Sequence, residues 1–252
     1  MEKFLKQVTL TGADDSVSYY RLFEISERFP FVEWGILLSK NSEGYFRFPT
    51  WKWIEGLITE KPPSVTISGH LCGSWVRDII AGGNEFLDTH RELSHAFARF
   101  QLNFHSQTHI PLSPEKFIDS LVSLTGLHKQ PVVFQLDGVN KQAYSLARSQ
   151  YGRHRGIEAL ALHDVSGGNG VLPDKWPQPM GDYCGYAGGL SPDNLAEQLR
   201  LIQDRIRNKD GSLYPIWIDA ETHMRSIDNS TFETVQAERF LKIAEPFVRE
   251  RG

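Results

Sequence analysis

Two stretches carry most of the architectural information: Glu158-Ala159-Leu160-Ala161-Leu162-His163-Asp164-Val165-Ser166-Gly167-Gly168-Asn169-Gly170 and Tyr183-Cys184-Gly185-Tyr186-Ala187-Gly188-Gly189-Leu190-Ser191-Pro192-Asp193-Asn194-Leu195. Each begins as a short, nearly unbroken apolar run and ends in a glycine-rich turn. Short apolar runs bounded by turn residues read as strands buried on both faces, as in a parallel sheet. After the second run, Ser191-Pro192-Asp193 supplies a helix cap with proline in the first turn, and an amphipathic helix is expected through about Arg207. The segment between them, residues 165–183, is rich in Gly and Pro and is expected to be mostly loop.

The same unit repeats on both sides of these stretches. Further strand-like runs occur at Val8–Thr11, Val32–Leu38, Ser64–Ser68, Phe100–Phe104, Val132–Leu136 and Pro215–Asp219. Helices are expected from Ser16 to about Phe29 behind the caps Asp14 and Asp15, from Thr50 through Trp51, Ile54 and Leu57, over 74–80, over 89–99, from Ser113-Pro114-Glu115, and over 141–150. Ser230-Thr231-Phe232-Glu233 has the form of a capping box, which predicts a last helix ending near Arg249. Eight strands in series, mostly separated by helices, imply an all-parallel sheet, and eight is the number that closes. The expected fold is one (β/α)8 TIM barrel domain over residues 1–252, with no linker or internal repeat interrupting the series.

Composition narrows the function classes. The 252 residues are 40% hydrophobic and 23% charged, enough to bury a sizeable core. A net charge of −4 argues against nucleic-acid binding through phosphate neutralisation. Two cysteines, Cys72 and Cys184, make no disulfide framework. No apolar stretch approaches the roughly 20 residues that span a bilayer, and residues 1–11 lack a signal-peptide core. The expectation is a cytoplasmic protein with a small-molecule partner and neither nucleic acid nor membrane as partner; the oligomeric state is left open.

In a parallel barrel the active site lies at the C-terminal strand ends. Those ends carry Thr11, then His70 and Cys72, then Gln101, Asn103 and His105, then Asp137, His163 and Asp164, then Gly188-Gly189, and finally Asp219, Glu221 and His223. The opposite end is plainer, with Pro62-Pro63, Gln130-Pro131 and Tyr214-Pro215 entering strands. Titratable and metal-competent groups on so many ends of one face point to a ligand pocket there. The six Trp residues are expected mostly to fill the core, and Cys184 to be a buried small apolar group.

Several segments together resemble the phosphoribosylanthranilate isomerases of tryptophan biosynthesis. Leu162 to Gly170, followed by Lys175-Trp176, resembles the family's strand-6 aspartate and Gly-Gly-x-Gly loop. Ala187 to Leu195 resembles its strand-7 phosphate loop and following helix, and Ile218-Asp219-Ala220-Glu221 stands at its strand-8 aspartate and second phosphate loop. Ser39-Lys40 to Arg47-Phe48-Pro49-Thr50 is similar to the strand-2 loop with the family's active-site arginine. The resemblance implies an isomerase that converts an aminoaldose to an aminoketose, with Asp164 as general acid at a raised pKa. It implies Arg47 pairing with a charged group of a phosphorylated substrate and Gly188 and Gly189 presenting amides to phosphate; Gly168 of the glycine loop, and Asp137, Asp219 and Glu221 at the strand ends, are further expected ligand-binding positions. The sequence departs from the pattern in two places. Thr9 and Thr11 stand at the family's lysine and catalytic cysteine, and Glu221 brings negative charge to the second phosphate loop.

With the cysteine base absent, His70 and His105 are the leading replacements, ahead of Cys72 and Asp137. No cofactor is expected on the isomerase reading. A divalent metal held by His70, His105, Asp164 and Asp219 would make the protein an epimerase or lyase instead. His70-Leu71 resembles the strand-3 segment of ribulose-phosphate epimerases, although Glu33 to Leu37 lacks that family's strand-2 metal ligands. A third alternative is a catalytically silent barrel that only binds a sugar or a flat ring.

Overall fold

The computed structural model describes residues 2–105, 111, 113–136 and 140–249. In chain order the elements are β1 (Leu5–Thr11), α1 (Tyr19–Arg28), β2 (Val32–Leu38), α2 (Trp51–Glu60), β3 (Thr66–Cys72), α3 (Ser74–Ala81), α4 (Glu85–Ser94) and β4 (Phe100–Asn103). They continue with α5 (Pro114–Thr125), β5 (Val132–Leu136), α6 (Lys141–Ala147), α7 (Gln150–His154), β6 (Ala159–His163), β7 (Cys184–Ala187), α8 (Leu195–Arg205), β8 (Ile216–Ala220) and α9 (Thr234–Ala244). The eight strands are all parallel and close in sequence order, with β1 pairing both β2 and β8. The expected (β/α)8 barrel is therefore present, with one connection altered. Between β6 and β7 the chain runs through residues 164–183 without a helix, as the Gly and Pro content of that segment implies.

Local signals set many element boundaries. The Thr50 hydroxyl accepts the Trp53 N–H at 3.2 Å to cap α2, and Ser113 caps α5 ahead of Pro114. Other expected caps are claimed by tertiary contacts. Asp14 accepts from Ser16 and pairs with Arg225 at 2.8 Å, and Asp15 binds Thr50, so α1 starts only at Tyr19. The capping box at Ser230 does not form. Its hydroxyl and amide both bond Asp228 in a local turn, and α9 begins at Thr234 with Glu233 as cap and ends at Ala244. Asn194, not Ser191, is the cap residue of α8, and its side chain ties the preceding turn through Ser191 N–H and Gly189 C=O.

The main apolar core lies between the strands and the helical layer, where Trp34, Phe100, Phe117 and Phe240 are fully buried. The barrel interior divides into two halves. On the β5–β8 side, Val133, Leu160, Leu162, Ala187 and Trp217 form a separate apolar cluster. On the β1–β4 side the buried residues are polar: Thr9, Thr11, Glu33, Ser68, His70, Arg99 and Gln101. Near the N-terminal end of the barrel, Arg99 donates to Glu33 Oε1 from Nη2 at 2.7 Å and from Nε at 3.1 Å, and its guanidinium lies over the Trp217 ring at 4.4 Å. Thr9 completes the group by donating to the same carboxylate oxygen at 2.9 Å. Burial works against the charge on Glu33, but the Arg99 guanidinium and these hydrogen bonds hold its carboxyl below the usual range.

Two glycines make room for this interior. A Cβ at Gly35 would come within 2.3 Å of the Thr11 hydroxyl and 2.7 Å of the His70 ring, and one at Gly185 within 2.2 Å of the Trp217 ring. No helix among the described residues is long and apolar enough to cross a membrane.

Breaking the buried pair leaves one charge without a partner in a dry interior. Arg99→Met is expected to cost about 3–5 kcal/mol in urea unfolding, and Glu33→Leu combined with Arg99→Met to recover most of it. Equal stability of the single variant and the wild type would contradict this.

Candidate active site

At the C-terminal end of the barrel the strands open into a small cavity of about 40 Å3 that continues into solvent. Gln101 and Asn103 of β4, His105 beyond it, Gln135 of β5 and Leu162 of β6 line one part. Asp164, Gly168 and Gly170 from the long β6–β7 loop, Gly188 and Gly189 after β7, and Asp219, Glu221, Thr222 and His223 from β8 and its loop line the rest. Period-two alternation along β4 and β8 explains why Gln101 and Asn103, and Trp217 and Asp219, share the inner face.

Asp219 is 7% exposed and sits at the inner wall of the cavity. Thr11 donates to its Oδ1 at 2.8 Å, and among the described residues its Oδ2 has only the Gln101 amide at 3.5 Å. Burial pushes the Asp219 pKa up to about 7, and the Glu221 charge adds to the rise; the Thr11 hydrogen bond and the Arg99 charge oppose it. Gln101 also meets Asn103 Oδ1 at 2.9 Å and His70 Nδ1 at 3.3 Å, and His70 Nε2 lies 3.1 Å from the Ser68 hydroxyl. A buried polar ladder thus climbs from within the barrel to the cavity wall.

Asp164 is held differently. Its Oδ2 accepts from the Gln135 amide and the Gly168 N–H, both at 2.8 Å, and its Oδ1 accepts from the Ser166 hydroxyl at 2.8 Å. It pins the start of the β6–β7 loop against the barrel. Gln135 also accepts the Phe104 and His105 N–H groups at 2.9 and 3.3 Å, so one amide sets the loops after both β4 and β6. His105 occupies the rim with a positive φ of 51°. Partial desolvation of its ring lowers its pKa, against the opposing charge of Glu221.

Of the residues expected from sequence, His105, Asp164, Gly168, Gly188, Gly189, Asp219 and Glu221 line this one cavity. His70 does not. β3 runs to Cys72 rather than stopping at Ser68, which places His70 inside the strand, 1% exposed, where burial drives its pKa down to about 3. Arg47 lines a neighbouring cleft with Phe46 and Phe48 that shares His105, Gly168 and Glu221 with the cavity, and it is ion-paired to Glu221. Asp137 lies outside the described residues. Cys72 is also buried, and burial, with the Glu221 charge adding, pushes its thiol up to about 12, so it is no candidate nucleophile or base near neutral pH. Among the described residues no three His, Cys, Asp or Glu side chains come together as a metal site, so the four proposed metal ligands do not fit that role.

Gln135 escaped the sequence reading. Its signal is a lone amide in the otherwise apolar run Val132–Leu136, at a position whose side chain faces inward.

The glycine turn after β7 is closely covered. A Cβ on Gly188 would meet the Val171 carbonyl oxygen at 2.9 Å, and one on Gly189 the Leu172 amide nitrogen at 2.5 Å. The β6–β7 loop thus lies directly on the turn, and both glycines have positive φ, 110° and 65°.

No protein-family model matches the sequence, and no curated protein matches it. Solved structures do match. TrpF from Jonesia denitrificans is 14% identical, with 96% of this chain and 97% of that chain covered and a TM-score of 0.56. A phosphoribosyl anthranilate isomerase from Thermotoga maritima is 13% identical, with 95% and 98% covered and a TM-score of 0.54. A phosphoribosyl anthranilate isomerase in complex with reduced 1-(o-carboxyphenylamino)-1-deoxyribulose 5-phosphate is 12% identical, with 95% and 98% covered and a TM-score of 0.53. The chain has the fold of these isomerases over nearly its whole length. At such identities the likeness concerns the fold.

Two measurements check the site's electrostatics. Asp219 holds its proton more tightly folded than unfolded, where its ordinary value is 3.8. Its contribution to stability is therefore complete below about pH 4 and lost as pH rises through about 7. Asp219→Asn should match the wild type in denaturant titrations near pH 4 and exceed it by a few kcal/mol at pH 8; a constant difference across that range would be the contrary result. Both cysteines are buried and have raised pKa values, so Ellman's reagent should label neither in the folded chain at pH 7 and both in urea.

Proposed function

We propose that the cavity is the active site of an isomerase-type enzyme that moves a proton at a carbon beside the carbonyl of a small sugar-type ligand. The observation that carries this reading is the pairing of Asp219 with His105 across one mouth. In a closed barrel of eight strands taken in order, β4 and β8 are diametrically opposite. His105 follows the first and Asp219 belongs to the second, so a ligand seated between them has an acid on one side and an imidazole on the other. Proton transfer next to a carbonyl requires two such flanking groups.

The protonation states suit the task. Asp219, with a pKa near 7, exists in both forms at neutral pH and can lend a proton to a ring or carbonyl oxygen. His105, with its pKa lowered, is a neutral imidazole there and can accept a proton from carbon. Asp164, the general acid implied by the isomerase resemblance, is already an acceptor for three donors, and its orientation is set by them. The acid duty fits Asp219 better, with Asp164 positioning the β6–β7 loop and offering an acceptor to ligand hydroxyls. Gln101, Asn103 and Gln135 add amide donors and acceptors of the kind that read sugar hydroxyls.

Incubation with a panel of aldoses and aldose phosphates in D2O, followed by NMR, tests this. The wild type is expected to exchange the C2 proton of at least one of them. Asp219→Asn and His105→Gln should each slow exchange by about 10²–10⁴-fold. Exchange in neither the wild type nor the variants, or equal exchange in all three, would reject the assignment.

A further inference from the structure

From the charges around the cavity, we infer that its ligand is a polyhydroxylated molecule bearing a basic nitrogen, an amine protonated at neutral pH, and not a phosphate ester. This rests on the reading of the same cavity as a sugar-type site and names the class of ligand it takes.

The walls are rich in acceptors. Asp164, Asp219 and Glu221 bring three carboxyls, and among the described residues no Lys or Arg lines the cavity. The guanidinium groups nearby are all committed. Arg47 pairs with Glu221 at the rim, Arg225 pairs with Asp14 and donates to the Gly12 carbonyl, and Arg99 is bound to Glu33 deeper in the barrel. Asp164 has only neutral donors: an amide, a hydroxyl and a backbone N–H. Asp219 is more than nine-tenths buried and keeps one oxygen with a single donor at the weak limit of hydrogen bonding, so a strong donor from a ligand has a place to go.

Two features weigh against a phosphate seat. On the β8 side, Glu221 lies on the cavity wall and takes up the Arg47 guanidinium, so that cation is not free to offset a dianion. On the β7 side, the β6–β7 loop packs onto Gly188 and Gly189, and the Val171 carbonyl oxygen and an Asp164 carboxyl oxygen lie 2.9 and 3.3 Å from where a Cβ on Gly188 would stand. An ammonium group reverses the sign of every one of these interactions. Its three N–H donors match carboxylate and carbonyl acceptors, and hydroxyls on the same frame match the amides of Gln101, Asn103 and Gln135.

Isothermal titration of the full chain at pH 7 with 1-amino-1-deoxyribitol, ribitol, ribitol 5-phosphate and inorganic phosphate tests the inference. The aminopolyol is expected to bind about tenfold or more tightly than ribitol, with neither phosphate probe binding more tightly than ribitol. Glu221→Gln, checked for folding by circular dichroism, should shrink the amine's advantage several-fold, read as the ratio of aminopolyol to ribitol affinity within the same variant. An aminopolyol no tighter than ribitol, or any phosphate probe tighter than the aminopolyol, would overturn the inference, as would an amine advantage untouched by Glu221→Gln. The proton-exchange experiment separates this from the catalytic reading. An amine advantage without C2 exchange on any aldose leaves the ligand class standing and removes the isomerase; exchange without an amine advantage does the reverse.

Discussion

The ion pair between Arg99 and Glu33 is the constraint on which the rest of the molecule hangs. Barrel interiors are ordinarily filled by branched apolar side chains. Here half of the interior is polar, and it can remain so only because each buried group finds a partner. Glu33 takes Arg99 and Thr9, Arg99 lies on Trp217, and above them His70 sits between Ser68 and Gln101. The upper end of that ladder is Gln101 and Asp219. The carboxyl that faces the cavity is thus held by the same network that fills the barrel, and its proton affinity follows chiefly from that burial, with the nearby Glu221 charge adding to it.

Much of this was legible in the sequence, for physical reasons. Strands buried on both faces have to be nearly continuous apolar runs, so all eight were visible, and their order followed from the helices between them. The strand ends identified the functional face, and the cavity residues His105, Asp164, Gly188, Gly189, Asp219 and Glu221 came from it, with Gly168 from the glycine loop of the resemblance. What failed to show depends on contacts distant in sequence. Ser68-Gly69 read as the end of the third run and hid the extension of β3 to Cys72, and with it the burial of His70 inside the barrel. Asp14 and Asp15 looked like helix caps because capping is a local pattern, but each was captured by a partner distant in sequence; Ser230 was instead taken by a competing local turn with Asp228. Arg47 looked free for a ligand, and its partner Glu221 is 174 residues away.

The fold shared with the phosphoribosyl anthranilate isomerases does not by itself fix the groups at the barrel mouth. Fold and chemistry are separable, because the barrel supplies the scaffold and the loops and strand tips supply the groups. In this chain the loop after β8 carries a carboxylate, Glu221, and the glycine turn after β7 is a surface on which the helix-free β6–β7 connection rests. Arg47 bridges the two sides of the mouth through Glu221, so the guanidinium that would otherwise seek an anion in solution is satisfied by the chain itself.

The closed sheet also explains why Thr11, which stands where the resemblance places a cysteine, lies against the buried carboxyl of Asp219. β1 and β8 are neighbours only because the barrel closes, and they pair in register with Thr9 beside Asp219. A side chain at the tip of β1 and an inward side chain on β8 consequently reach the same volume, and the Thr11 hydroxyl touches Asp219 at 2.8 Å. The threonine at the tip of β1 therefore orients the β8 carboxyl: its hydroxyl donates to Asp219 Oδ1 and leaves Oδ2, on the cavity side, with the Gln101 amide as its partner among the described residues.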